Sequence, residues 1–119
     1  MSLTLSAHQT RLLRLKNQRL LSSAAGKPAS PERVLEDVVA VQAQDLSAAR
    51  LSIWARSADL IVTSVEQARQ ETRSIVWTWC LRGTMHILAS QDAAWLIPFL
   101  GPLFISASEK RFQQLGWDE

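Results

Sequence analysis

The sequence predicts a mainly helical domain that carries one small β-hairpin. Three observations carry that prediction. Apolar residues recur at helical spacing before residue 75, as in Val34, Leu35, Val38 and Val41. Helix-start signals precede such runs: Ser6 with Gln9, Ser30 with Pro31, and Thr63 with Glu66. At Ile75 the pattern changes to Ile75-Val76-Trp77-Thr78-Trp79-Cys80-Leu81, dense in β-branched and aromatic residues and without helical spacing.

The elements follow in order. Ser6 to about Leu21 reads as a first helix, with Leu12, Leu13, Leu20 and Leu21 as its apolar stripe and cations around it. Ser22–Ala29 is rich in Ser, Ala, Gly and Pro and reads as a loop. A second helix is expected from Pro31 to Val41 or Gln42. A third starts near Ser47, carries Leu51, Ile53, Trp54 and Ala55, and stops near Asp59. A short fourth helix follows Thr63, with Glu66 completing a capping box. The hairpin pairs Ile75–Leu81 with Met85–Ala89 across an Arg82-Gly83 turn. Asp92 opens a further helix that Pro98 breaks or restarts, and a last helix spans Leu100 to Leu115 with Phe104 and Phe112 turned inward. Helices followed by a hairpin give the order of a winged helix, a helix-turn-helix domain with a β-wing.

Composition bounds what such a domain can be. At 119 residues the chain reads as one domain, residues 1–119, able to bury roughly two-thirds of its unfolded surface. Cys80 is the sole cysteine, so a disulfide framework and a cysteine-based zinc site are excluded; the thiol is expected to be buried. No apolar run approaches the ~20 residues that cross a membrane, and no signal peptide is visible, so the reading is cytoplasmic. Met1-Ser2-Leu3 reads as a cloning remnant. Net charge is +2, but Arg11, Arg14, Lys16, Arg19 and Lys27 all precede the first acidic residue, Glu32. That basic segment is either a solvated helix face or a surface that lies along a phosphate backbone, with Arg11 and Arg14 as its contacts.

One stretch stands out. Gln42-Ala43-Gln44-Asp45 ends the apolar run, where a surface position would ordinarily carry Lys, Arg or Glu. Positions i and i+2 diverge on a helix and share a side in an extended chain. If the two amides act together, the helix must end near Val41 and the Gln-Ala-Gln run must be extended. Asp45 then either caps the helix that starts near Ser47 or activates a water; the cap is the preferred reading.

Gln42-Ala43-Gln44 resembles the glutamine–apolar–glutamine motif of the AlkZ-like winged-helix DNA glycosylases, and Arg82-Gly83-Thr84-Met85-His86 resembles the Arg-Gly-Thr-apolar-His signature of the same family. The resemblance implies an enzyme hydrolysing N-glycosidic bonds of cationic alkylated purines, or unhooking interstrand crosslinks, in double-stranded DNA. It assigns Gln42 and Gln44 the catalytic role and Arg82, Thr84 and His86 contacts with DNA, with no metal and no cofactor. Family chains are much longer, with three winged-helix units in tandem. This sequence matches their N-terminal part and reaches Trp117-Asp118-Glu119 without an end signal, as a fragment or a stand-alone relative. Helices over 91–115 would then lead to further domains, and their wide apolar girth would promote self-association. The resemblance departs at Trp77, where family members often carry Arg.

The chemistry suits the motif. A glutamine is no strong base, but a purine alkylated at N7 or N3 is already a good leaving group. Its bond to the sugar breaks through an oxocarbenium-like transition state. A water held at the anomeric carbon, with electron-rich oxygens beside the growing cation, is then what helps. The plain alternatives are that both glutamines satisfy backbone groups at a helix end, and that His86 is a strand histidine bonded to a backbone carbonyl. The five tryptophans read chiefly as core or interface anchors, with base stacking as the other option. The competing function is a non-catalytic winged-helix DNA-binding or regulatory module, or an interaction module without nucleic acid. A regulator would show a strongly basic recognition helix, and Ser64–Thr72 offers only Arg69 beside Glu66 and Glu71.

Overall fold

The computed structural model describes residues 4–21 and 26–117. Met1-Ser2-Leu3 and residues 22–25 of the expected loop lie outside them, as do Asp118 and Glu119. Helix α1 spans Ala7–Asn17, with the Ser6–Gln9 capping box formed in both directions. It ends well before Leu21, where Arg19 takes a positive φ of 56°. No residue of α1 is buried, so its leucines lie half-exposed on the surface instead of forming a core stripe. An ion pair, Arg19 to Asp37 at 3.0 Å, ties its end to the next helix.

That helix, α2, spans Pro31–Val38, shorter than the apolar spacing suggested. Ser30 caps it and Pro31 occupies its first turn, as expected. Val39 stops it at φ 71°, ψ −54°, the positive-φ γ-turn conformation that a β-branched residue rarely adopts. Ala40–Gln42 then forms a strand, β1, that the sequence reading lacked. Helix α3, Leu46–Arg56, starts on the Asp45 cap. Helix α4, Ser64–Glu66, runs directly into a π-helical turn, Gln67–Glu71. Its expected capping box is absent: Thr63 makes no side-chain cap, and Glu66 is held by Arg50 and Arg69.

The hairpin is present as β2, Ile75–Trp79, and β3, Met85–Ala89, joined through a 3-10 turn at Leu81–Gly83. It belongs to a larger unit, an antiparallel three-stranded sheet in the order β1-β3-β2. Ile87 pairs with both Val41 and Trp77, and His86 with both Gln42 and Thr78. Helix α5 follows β3 without a loop and is continuous from Ser90 to Gln114. Pro98 and Pro102 lie inside it, where two helices had been expected. Both prolines are exposed and one turn apart, so the carbonyls they leave unpaired face water, which can satisfy them. Phe112 is exposed and stacked on Trp117 at 5.7 Å, not turned into the core.

Both faces of the sheet are used. Val41, Ala43, Ile75, Ile87 and Ala89 point to one side, into a core with Val34, Leu35, Ala49, Ile53, Val65 and Ala68. Leu88 and Cys80 point to the other, under Ala93 and Leu96 of α5, with Ala40, Val76 and Leu100 around them. None of the five tryptophans is in either core. The radius of gyration is 17.5 Å. A compact domain of this length has one of about 13.5 Å. Consistent with that, Phe99, Leu103 and Ile105 on α5 expose their side chains widely. Among the described residues no helix is long and apolar enough to cross a membrane.

Candidate active site

The end of β1 is where the sheet and the motif meet. Strand alternation puts Gln42 on the α5 side of the sheet, opposite His86, while Val41 and Ala43 are buried in the main core. The Gln42 and Gln44 side chains are exposed and touch: Gln42 Nε2 donates to Gln44 Oε1 at 3.1 Å. The two amides therefore share one side of an extended run, as the i, i+2 argument required. Arg82 Nη2 approaches Gln42 Oε1 at 3.4 Å from the hairpin turn. The Gln42 amide is thus held at both ends, its NH2 on Gln44 and its oxygen toward a guanidinium.

Three strands position this group. Ala43 N–H donates to the Met85 carbonyl at 2.8 Å, extending the β1–β3 ladder by one bond past the strand. The indole Nε1–H of Trp77 donates to the Ala43 carbonyl at 2.9 Å, reaching from β2 across β3. Arg82 sits in the left-handed region at φ 56°, beside Gly83 at φ 65°. That tight turn aims the arginine back toward β1.

Thr84 and His86 stabilise the hairpin from within. Thr84 Oγ1 donates to the Leu81 carbonyl at 3.2 Å. His86 is 3% exposed, and its Nδ1 lies 2.9 Å from the Thr84 carbonyl. A carbonyl can only accept, so Nδ1 donates. This is the backbone-bonded strand histidine, and burial leaves it little surface for a phosphate. Asp45 is exposed, and its Oδ1 accepts from Ser47 N–H at 2.7 Å and Ala48 N–H at 3.1 Å. It is engaged as the α3 cap. Arg11 and Arg14 lie exposed on α1 and make no hydrogen bond to the motif among the described residues.

Electrostatics bear on three groups outside the glutamine pair. Burial pushes the Cys80 thiol up, so it stays protonated and is no nucleophile. The hydrogen bond from Arg69 holds Glu66 below the usual carboxylate range, with Arg50 adding to it, against an opposing push from burial. Burial would raise Glu32, but the Ser74 hydroxyl and local hydrogen bonds outweigh it and leave that carboxyl lowered. Neither acid touches the glutamine pair. The π-turn cation, Arg69, is occupied by Glu66 at 2.7 Å.

Sequence reasoning missed the indole clamp. Trp77 stood out as a departure from a family pattern, but its tie to Ala43 depends on a strand pairing that a three-residue β1 does not announce. The family model for AlkZ-like DNA glycosylases matches residues 35–119, and the chain belongs to that family. The match covers both motifs and begins after α1, so Arg11 and Arg14 fall outside it. Among solved structures, the DNA glycosylase AlkZ of Streptomyces sahachiroi aligns with a TM-score of 0.68 at 28% identity. The alignment covers 80% of this chain and 24% of that one, so the chain spans about a quarter of that protein's length. No curated protein matches.

Proposed function

We propose that the exposed Gln42–Gln44 pair is the catalytic centre of a DNA glycosylase that releases cationic alkylated purines from duplex DNA. The observation that carries the reading is the paired amide geometry on an extended run, pinned from β2 and β3. Each side-chain oxygen keeps a free lone pair. A water that donates to both has its own lone pair directed outward, toward an anomeric carbon. As the C–N bond breaks, its electrons pass to the cationic purine, which leaves neutral. The water oxygen bonds to the sugar carbon and its excess proton passes to solvent. No general acid is called for, because the leaving group carries its positive charge already. The amide dipoles stabilise the oxocarbenium-like transition state that forms beside them.

In this reading the α2–β1–α3–α4–β2–β3 order is a winged helix, the first of several such units. Arg82 at the wing tip contacts a DNA phosphate, and Arg11 and Arg14 lie along the backbone. Thr84 and His86 shape the wing more than they touch DNA. The regulatory alternative is disfavoured by Arg69, whose charge is taken by Glu66. Unhooking of crosslinks is the same bond cleavage applied to a cationic purine joined to both strands.

The test compares a cationic lesion with a neutral one. Duplexes carrying N7-methylguanine or hypoxanthine are incubated with the intact protein at neutral pH. The reading predicts release of N7-methylguanine and none of hypoxanthine above background. Comparable release of both would require a group that protonates the leaving base, and would contradict an amide-only site.

A further inference from the structure

We propose that Trp77 is the positioning residue for the glutamine pair, acting through the Ala43 carbonyl; this rests on the catalytic reading of Gln42 and Gln44. Strand β1 is three residues long and ends at Gln42. Its near end is the Val39 turn at positive φ, a conformation that contributes no stability of its own. A ladder this short cannot by itself fix two side chains at its far end.

Ala43 completes the fixation. It separates the two glutamines and is fully buried. Its N–H is held by Met85 on β3 at 2.8 Å. Its carbonyl accepts no backbone N–H among the described residues and takes the Trp77 indole proton at 2.9 Å instead. The N–H belongs to the peptide plane that joins Gln42 to Ala43, and the carbonyl to the plane that joins Ala43 to Gln44. Holding both planes sets the angle between the two Cα–Cβ directions. That angle brings Gln42 Nε2 to 3.1 Å from Gln44 Oε1. The register explains the reach: Trp77 is opposite Ile87, which is opposite Val41, so the indole lies over the central strand toward the residue two beyond Val41.

The role needs the N–H, not merely the ring. Phenylalanine at 77 keeps an aromatic body in place and removes the donor. The Ala43 carbonyl is then buried without a partner, and the Ala43–Gln44 plane turns to find one. Among the described residues the indole N–H of Trp77 donates to the Ala43 carbonyl, so its loss reaches the amides through that carbonyl.

The experiment uses the intact protein as wild type, Trp77→Phe and Gln42→Ala, with single-turnover release of N7-methylguanine and equilibrium DNA binding measured side by side. Trp77→Phe should slow release by roughly 10- to 100-fold, the scale of a misplaced catalytic group, with binding changed less than about twofold. Its Gln42 side-chain NH2 resonances, followed by 15N NMR, should lose the shift they show in the wild type. If Gln42→Ala is slow and Trp77→Phe releases base at the wild-type rate, the positioning role is overturned. If Gln42→Ala itself matches wild type, the catalytic reading fails, and the resonances judge Trp77 alone: unchanged Gln42 NH2 signals in Trp77→Phe overturn it. Should Trp77→Phe not fold, the wild type decides. The Trp77 indole N–H should exchange with deuterium far more slowly than that of the exposed Trp54, and equal exchange overturns the clamp.

Discussion

Gln42 and His86 face each other across the β1–β3 pairing, at a position where the two backbones exchange no hydrogen bonds. The alternation fixes this. Ala43 and Met85 are a bonded pair, so the pair before them is not, and His86 turns its backbone groups toward Thr78 on β2. Side chains approach most closely at such positions. A buried imidazole locked onto the Thr84 carbonyl therefore stands directly across the ladder from Gln42.

His86→Leu removes the donor to the Thr84 carbonyl while keeping the volume of the side chain. The Thr84 carbonyl keeps the Cys80 N–H at 3.0 Å, so losing this second donor should cost roughly 0.5–1.5 kcal/mol of stability. It should be read as a lower denaturant midpoint with an unchanged slope. An unchanged midpoint would show that the Nδ1 bond contributes nothing.

Arg82→Ala should weaken DNA binding and reduce the log–log salt slope by about 0.9, the value of one phosphate contact. Arg82 also approaches Gln42 Oε1, so release at saturating protein should slow as well, by less than the loss of a glutamine. Titrations from low to moderate salt check the slope. An unaltered slope would place the phosphate contact elsewhere.

Glu66 gives a pH dependence with a definite sign. Its carboxyl is lowered in the folded state by Arg69 and Arg50, from an ordinary value of 4.5. The stability it contributes is therefore fully present above about pH 4.5 and is lost as pH falls through the lowered value. Melting temperatures taken from pH 6 downward should fall in that window, and Glu66→Gln should flatten the limb. An acid limb identical in the variant would remove Glu66 from the account.

Helix α5 exposes Phe99 and Leu103 one turn apart on one face. The chain as it stands should self-associate through that face, with more than ~1,000 Å² buried. Sedimentation should show a dimer that Phe99→Glu with Leu103→Glu converts to monomer, leaving the circular dichroism unchanged. A wild-type chain that sediments as a monomer at high concentration would contradict this.

Much of the fold was legible in the sequence because local chemistry governs it. The Ser6, Ser30 and Asp45 caps stand where they were read, and the change at Ile75 marks the hairpin. What was not legible depended on distant partners. Val38 and Val41 keep helical spacing, yet Val39 breaks the helix because Ala40–Gln42 has β3 to pair with. Proline-based reasoning split α5, but both prolines face water, where a missing hydrogen bond costs little. The glutamine pair was visible as two amides where charge was expected. The indole that clamps Ala43 was not, because its partner lies 34 residues away in the chain.

The central claim is that Gln42 and Gln44 act on the bond and not on the binding. The direct measurement is single-turnover release of N7-methylguanine by the intact protein at saturating concentration, for wild type, Gln42→Ala and Gln44→Ala, with DNA affinity measured on the same duplex. Each variant should release base about 10²-fold more slowly, as expected when one amide supplies a few kcal/mol to the transition state, while affinity stays within about twofold. Wild-type release rates in both variants, with DNA still bound, would contradict the catalytic account and leave a DNA-binding module in its place.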